Sequence, residues 1–244
     1  HMEPFIHLHV HTQYSLLDGQ ASIDALIDKA QKDGMPAIAV TDHGVMFGIK
    51  EFFNKVSKKN GKPLGAIKDY EKELKELKEL KSKTELTAEE QARLEEIPAK
   101  IEEEKKKIFK PIFGCECYCA RNGRHSKLAS QNDRSGWHLI VLAKNLNGYK
   151  NLIKMVSLSW TEGFYGRPRI DKELLEKYHE DLIICSACIG GEIPQHILNG
   201  RMDKAEESVL WFKNLFGEDY YLEIQRHETH DPNAAQDVYP HQVT

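Results

Sequence analysis

The sequence predicts an α/β fold in which strands and helices alternate and form a distorted, barrel-like β/α arrangement. Short apolar runs recur along the 244 residues, and segments with helical periodicity separate most of them, which favours a parallel α/β architecture. No Gly-x-Gly-x-x-Gly motif marks a dinucleotide-binding sheet, so a barrel is the preferred arrangement. The six candidate strands are FIHLHVH, PAIAVTDH, KPIFGCECYCA, HLIVLAK, DLIICSAC and YYLEIQRH.

Four segments between the candidate strands have the pattern of amphipathic helices. In the first, Ser22 is expected to be the N-cap and Gly34 to end the helix. Between them, Leu26, Ile27 and Ala30 form an apolar face that can pack against the sheet. The other three segments are GYKNLIKMVSLSW, DKELLEKYH and MDKAEESVLWFKNLFG.

Residues 67 to 107 differ from the rest in being rich in Glu, Lys and Leu. Thr87 and Glu90 have the spacing of a capping box, so a helix should begin near residue 88, and Pro98 should kink it. We expect two helices that form an inserted hairpin, either as a solvated surface with many Glu–Lys pairs or as a protein-docking arm. The expected division is a barrel from residues 3–66 and 109–244, a hairpin at residues 67–108, and a purification-tag remnant at residues 1–2.

Composition limits the classes of function. The net charge of −4 provides no overall basic field for nucleic acid, although a local basic groove stays possible. No apolar run reaches the roughly 18 residues that a membrane span needs, and no signal peptide is visible. The cysteines are odd in number and clustered, which is untypical of a secreted disulfide framework and favours a cytoplasmic protein. They are Cys115, Cys117, Cys119, Cys185 and Cys188.

Three histidines, His7, His9 and His11, alternate with apolar residues in the first candidate strand. Alternate side chains of a strand point to the same face, so these rings should face the barrel interior if helices cover the apolar face. Barrel active sites lie at the C-terminal ends of the strands. His9 and His11 are therefore candidate metal ligands, and His7 is expected in a deeper position near the site.

Other candidate strands end in groups that can bind metal. Asp42 and His43 follow one strand, Cys188 follows another, and His227 ends the last. Imidazole, thiolate and carboxylate ligands together suit zinc or a similar borderline ion. These residues predict a metal site at one end of the barrel.

The segment GCECYC contains three alternating cysteines that resemble a zinc site. Alternate α-carbons of a strand are about 6.6–6.8 Å apart, so the short side chains converge poorly on one ion. We expect these cysteines to be small buried side chains that face the helices. Glu116 then faces the interior, where a carboxylate requires a charged partner or a metal ion.

Several motifs in order resemble the N-terminal PHP (polymerase and histidinol phosphatase) domain of bacterial DNA polymerase III alpha subunits, from residue 5 to about residue 230. They are HLHVHTQYSLLDG, AVTDHG, FGCECY, HLIVLAKNLNGYKNL, RPRID and CSACIGGEI. The resemblance implies a distorted β/α barrel with a cluster of up to about three divalent ions, such as zinc, manganese or iron. The metal ligands it implies, of which the first five would also be catalytic, are His9, His11, Asp18, His43, Glu116, His138 and Cys188. His227 resembles a polar residue near the cluster.

Two features depart from this family pattern. The family has two further ligands in an NDxHY-like motif after another helix, and the sequence reaches Thr244 without that motif. We therefore expect a barrel that is truncated at its C-terminal end. His138 also lies at the start of its candidate strand, away from the expected catalytic end. Either that strand is antiparallel, or its boundary is misplaced, or His138 binds no metal.

The resemblance implies phosphoester hydrolysis, and in the polymerase family a 3′–5′ exonuclease that proofreads during DNA replication. Its expected partners are a DNA primer-template, the remainder of the alpha subunit and other replisome subunits, with no membrane. Alternatives are a non-catalytic, metal-stabilised structural module of the polymerase and a stand-alone phosphatase. Candidates for contacts with the DNA backbone are Arg121, Arg124, Arg167 and Arg169, although RNGRHSK also fits a solvated surface loop.

Overall fold

The computed structural model describes residues 5–16, 18–128 and 133–225. The described helices are α1 (Ile23–Lys32), α2 (Ile49–Lys81), α3 (Ala88–Lys105), α4 (Leu146–Thr161), α5 (Lys172–Tyr178), α6 (Glu192–Leu198) and α7 (Met202–Phe216). The described strands are β1 (Ala37–Val40), β2 (Lys110–Cys119), β3 (Trp137–Ala143), β4 (Arg169–Ile170), β5 (Leu182–Cys185) and β6 (Tyr220–Tyr221). None of the helices in the described part of the chain has the length and apolar character to span a membrane.

The strands form one mixed sheet in the order β1-β2-β3-β5-β6, with β4 paired to β2 beside this path. Strand β3 is antiparallel to both β2 and β5, whereas the β2–β4 and β5–β6 pairs are parallel. The mixed α/β class is therefore confirmed. The closed barrel is not, because within the described residues β1 and β6 end the sheet on opposite sides.

The first candidate strand is wrong as a strand, since residues 5–11 have no regular secondary structure. A short link joins this segment to Thr41, the residue after β1. The amide of Val10 donates to Thr41 Oγ1 at 2.8 Å, and the amide of Thr41 donates to the carbonyl of Val10 at 2.8 Å. Two such bonds align the segment but do not extend it into a ladder.

The helix predictions are largely confirmed. Ser22 caps α1, with its hydroxyl accepting from the amide of Ala25 at 3.2 Å. Thr87 and Glu90 form the expected capping box at the start of α3. Helix α2 differs from the prediction. It begins at Ile49 and continues without interruption across residue 67, where the hairpin was expected to start.

The chain divides into two compact units. One includes Ser22–Ile38 and Lys50–Pro111, and therefore most of α2 and all of α3. In this unit Ile67, Ile97 and Ile101 are buried against one another, and Leu74 and Leu77 pack on them. This small apolar core joins the two helices, while their outer faces carry Lys–Glu pairs.

The other unit comprises the described residues of Leu8–Ala21 and Ala39–Ile49 and those from Ile112 to residue 225. Its main core lies on one face of the sheet, where the three cysteines of β2 are buried among side chains of α4 and α5 such as Leu152, Met155 and Leu174. The expectation that these cysteines face the helices is confirmed. Because side chains alternate along a strand, Glu116 points to the other face.

Candidate metal centre

Glu116 lies at the centre of a group of four imidazole rings. Its side chain has no exposed surface. Oxygen Oε2 lies 2.5 Å from His11 Nε2, 2.8 Å from His9 Nε2 and 3.4 Å from His43 Nδ1. Oxygen Oε1 lies 2.8 Å from His138 Nδ1. These five residues are called the Glu116 cluster below.

Asp18 and Cys188 border the Glu116 cluster. Asp18 Oδ2 lies 2.8 Å from His11 Nδ1 and 3.0 Å from His43 Nε2. Its side chain is 40% exposed, so it marks a side of the cluster that solvent reaches. Cys188 Sγ lies 3.3 Å from His138 Nδ1 and 3.7 Å from Glu116 Oε1. The structure therefore brings together all seven side chains that the sequence suggested as ligands.

The backbone after β1 places His43 beside Glu116. The amide of Glu116 donates to the carbonyl of Asp42 at 3.0 Å, and the amide of Gly44 donates to the carbonyl of Glu116 at 2.9 Å. These bonds form a parallel bridge between His43 and Glu116 beyond the end of the strand. The bridge explains why a histidine directly after a buried strand reaches the carboxylate.

A buried carboxylate holds the irregular first segment in place. Asp42 accepts from the amide of Thr12 at 2.6 Å and from its hydroxyl at 2.9 Å. The amide of His43 donates to Ser15 Oγ at 2.8 Å. Burial raises the pKa of Asp42, although the hydrogen bonds from Thr12 oppose that shift. Side-chain hydrogen bonds thus hold the segment that carries His9 and His11, where a strand ladder had been expected to hold it.

The direction of β3 explains the position of His138. Because β3 is antiparallel to β2, its first residues lie beside the last residues of β2, and His138 pairs with Tyr118. The amide of His138 also donates to the carbonyl of Gly190 at 2.9 Å. Of the three explanations left open by the sequence, the antiparallel strand is the one that the structure shows.

Glu116 favours positive charge on His9 and His138, whereas burial lowers the pKa of His43. Burial by itself would raise the pKa of Glu116, but hydrogen bonds with His11, His138 and His9 outweigh it and hold that pKa well below its usual range. Burial lowers the pKa of His9 and His138, yet hydrogen bonds to carboxylate or thiol partners raise these pKa values to about 10 and about 9. The buried carboxylate therefore stabilises cationic partners around it.

The donor set fits metal ions. Three groups of side chains each bring their ligand atoms within 4.8 Å of one another. Buried His43 Nδ1 also has no hydrogen-bond partner among the residues that the structure describes, although Glu116 Oε2 lies 3.4 Å away. Imidazole and carboxylate ligands suit zinc, iron and manganese. The three groups are His9, His11 and Glu116; His11, Asp18 and His43; and His43, Glu116 and His138.

Two of the residues proposed to bind the DNA backbone serve the fold instead. Arg169 has no exposed surface, and its guanidinium donates to four backbone carbonyls at 2.7–2.9 Å. Arg124 is buried, with its guanidinium bonded to Asp171 at 3.1 Å and to Glu162 at 2.8 Å. A phosphate cannot reach groups that are buried and fully bonded. The prediction for Arg124 and Arg169 is therefore wrong, whereas Arg121 and Arg167 are exposed.

One of the two histidines expected near the site, His7, is not in the cluster. His7 is exposed and contacts the ring of Phe5 at 4.9 Å, so the expected deeper position is wrong. The reason is that residues 5–11 form no strand and so lack its strict alternation of faces. His227 lies outside the described residues.

Sequence reasoning missed Glu223, whose Oε1 lies 2.7 Å from His9 Nδ1. The amide of Glu223 donates to Ser186 Oγ at 2.8 Å, which fixes the chain just after β6. The signal was a single carboxylate within the apolar run YYLEIQ. The run was expected to be a buried strand, in which a charge requires a partner. In the structure Glu223 is half-buried after β6 between exposed Leu222 and Ile224, and its carboxylate orients the His9 ring.

Gly190 is expected to be necessary for the position of His138. A Cβ atom at residue 190 would lie 3.1–3.2 Å from three atoms of the His138 ring, closer than ordinary contact. Gly190→Ala should therefore move the ring away from Glu116 and lower metal affinity by about tenfold to a hundredfold, as does loss of a group that orients a ligand. Isothermal titration with zinc measures the affinity, and histidine ring NMR shifts report the movement.

Gly65→Ala is the matched control, since a Cβ atom there would contact nothing within 4 Å. It should leave the zinc affinity and the ring shifts of His138 unchanged. Equal affinities for the Gly190→Ala and Gly65→Ala proteins would contradict the proposed packing requirement.

Comparison with known proteins identifies the family of the chain. The PHP domain profile matches residues 7–227. The chain is 44% identical over 231 residues to DNA polymerase III subunit alpha of Borreliella burgdorferi, and the alignment covers 95% of this chain and 16% of that protein. The subunits of the same name from Aquifex aeolicus and Treponema pallidum are each 36% identical, over 95% and 91% of this chain and 16% and 15% of their own lengths. The chain thus spans a small part of these relatives, and its match to the profile shows that it belongs to the PHP domain family.

Proposed function

We propose that this chain is the PHP domain of a bacterial DNA polymerase III alpha subunit and catalyses metal-dependent hydrolysis of phosphoesters, as a 3′–5′ exonuclease acting on DNA. The observation that carries this proposal is the Glu116 cluster, in which a fully buried carboxylate faces four imidazole rings. The similarity to polymerase subunits supports DNA as the substrate and the replisome as the setting.

The residues of the cluster and at its border have different proposed roles, according to their positions. His9, His11, His43, Glu116 and His138 would hold the ions, and Asp18 and Cys188 border them. Bound metal ions would lower the pKa of a water molecule and offset the charge that develops on a phosphoryl group. Glu116 holds three of the rings by hydrogen bonds within its cluster, so the ligands are oriented before an ion binds.

Asp18 lies on the exposed side of the cluster, where a phosphoester can approach. Its carboxylate holds His11 and His43 at 2.8 and 3.0 Å. Arg167 is exposed, and its guanidinium lies 5.4 Å from the ring of Tyr118, which itself stacks on His43. We therefore assign Arg167 as the residue that contacts the DNA backbone, together with exposed Arg121.

The test is hydrolysis of 5′-labelled single-stranded DNA by this chain and by a full-length subunit that contains it, with zinc, manganese or iron(II). We expect shortening from the 3′ end that stops on chelation, and a rate at least about a hundredfold lower for Asp18→Asn. Asp203→Asn, at an exposed carboxylate in the first turn of α7, is the control and should keep the wild-type rate.

Bound metal without hydrolysis in the full-length subunit would refute the enzymatic proposal. That result would instead support a metal-stabilised structural module. Rapid release of phosphate from small phosphate esters with no attack on DNA would indicate a phosphatase.

A further inference from the structure

Two exposed aromatic rings lie at the end of α4, and one of them bonds to the residue that follows His43. Trp160, near the end of α4, and Phe164, in the following turn, are 44% and 45% exposed. Their rings stack with centroids 5.6 Å apart and an interplanar angle of 22°. These two residues are called the aromatic platform below. A pair of large stacked rings that remains exposed indicates a binding surface, because a bound ligand would bury these rings.

The aromatic platform is attached to the backbone that carries His43. The indole nitrogen of Trp160 donates to the carbonyl of Gly44 at 2.9 Å. A Cβ atom on Gly44 would lie 3.2 Å from the ring of Tyr118, and that ring stacks on His43 at 5.5 Å. A single hydrogen bond therefore connects the platform to the backbone segment that carries His43, a proposed metal ligand.

Two arginines contact tyrosines that neighbour the aromatic platform, Tyr118 beside Gly44 and Tyr165 next to Phe164 in the chain. The guanidinium of Arg167 lies 5.4 Å from the Tyr118 ring, and that of Arg134 lies 5.3 Å from the Tyr165 ring. Both arginines are exposed. The nearby carboxylate of Glu162 is bonded to buried Arg124 at 2.8 Å, which offsets its charge. The surface combines base-sized aromatic faces with guanidinium groups that can bind phosphate.

We propose that the aromatic platform binds the bases of an unpaired DNA 3′ end by stacking, while Arg167 binds its phosphate. The surface then selects a single strand, because the bases of a duplex are stacked on each other and do not offer free faces. This inference rests on the proposed function for the identity of the substrate. It goes beyond it by assigning strand selection to residues outside the Glu116 cluster.

Binding is measured with a fluorescein-labelled oligothymidine of about 12 nucleotides by anisotropy, in EDTA so that no hydrolysis occurs. Trp160→Ala and Phe164→Ala should each raise Kd by about fivefold to a hundredfold, the loss of one stacked base. Phe164→Tyr keeps the ring and should bind within about twofold of wild type. Leu210→Ala, at an exposed apolar residue of α7, is the matched control and should bind as wild type.

Arg167→Gln should reduce the salt dependence of binding by about one unit of slope, as expected for one phosphate contact. Arg201→Gln is its control, because Arg201 is exposed at the start of α7. Circular dichroism melting of every variant identifies losses that arise from unfolding, and Phe164→Tyr separates loss of the ring from loss of the fold.

Wild-type binding by both alanine variants would overturn the inference, as would equal affinity for a duplex of the same length. The first of these results is also what a docking surface for another protein would give. If DNA is hydrolysed while the platform variants bind normally, the inference fails and the proposed function stands. If the platform variants lose binding while the full-length subunit hydrolyses no DNA, the proposed function fails and the single-strand surface stands.

Discussion

Glu116→Gln is expected to lower metal affinity by more than about a hundredfold, since loss of a group that only orients a ligand already lowers it by up to about that factor. The carboxylate contacts all four imidazole rings within 3.4 Å. The amide keeps the shape of the side chain but removes its negative charge and places a donor against these rings. Metal content after dialysis against zinc, measured by mass spectrometry, tests the prediction.

The same substitution should also lower the free energy of unfolding of the metal-free protein by about 3–5 kcal/mol, because it removes one partner of a buried charged group. Glu116 helps to raise the pKa of His9, together with Glu223, and that of His138, together with Cys188. Urea denaturation with chelator present measures this effect separately from metal binding.

Glu192→Gln is the matched control, because Glu192 is also a buried glutamate. Its Oε1 accepts from Lys172 at 2.9 Å and from Ser208 at 2.7 Å, and it is not part of the Glu116 cluster. It should lower stability but leave the zinc content unchanged. Equal zinc content in the Glu116→Gln and Glu192→Gln proteins would rule out Glu116 as a ligand.

Much of the cluster could be predicted because strand alternation is a local property of the sequence. The spacing of Cys115, Glu116 and Cys117 placed the carboxylate on the face opposite the helix-covered core, as observed. His43 directly follows a buried strand, and such ends meet at one edge of a sheet. The period of a strand was enough to locate Glu116, and the end of a buried strand was enough to locate His43.

The remaining features depend on contacts between distant parts of the chain. Glu223 is 214 positions away from its partner His9, and no local pattern links the two. The first segment is held by Asp42 and Thr41 rather than by a strand ladder. Strand alternation therefore could not place all of its histidines correctly, and it misplaced His7. The antiparallel direction of β3 depends on the long connection from β2, whose path the local pattern does not specify.

Arg169→Met is expected to lower the free energy of unfolding by about 3–5 kcal/mol, because buried Asp133, whose Oδ2 lies 3.6 Å from the guanidinium, would lose its charged partner. Its guanidinium donates to the carbonyls of Gly163, Asp133, Arg124 and Ser126. Methionine fills part of the space but donates nothing, so these carbonyls would lose their bonds to the guanidinium. Urea denaturation of the chain measures the change.

Arg167→Met is the control, two residues away in the same RPRID motif. The side chain of Arg167 is exposed and its guanidinium contacts the face of Tyr118, so its loss should change stability by less than about 1 kcal/mol. The two variants should therefore change different properties of the protein. Loss of Arg169 impairs folding, whereas loss of Arg167 impairs DNA binding in a folded protein. Equal destabilisation by both would contradict this division. The motif alone could not reveal it, because only the surrounding carbonyls distinguish an arginine that holds the backbone from one that is free to bind phosphate.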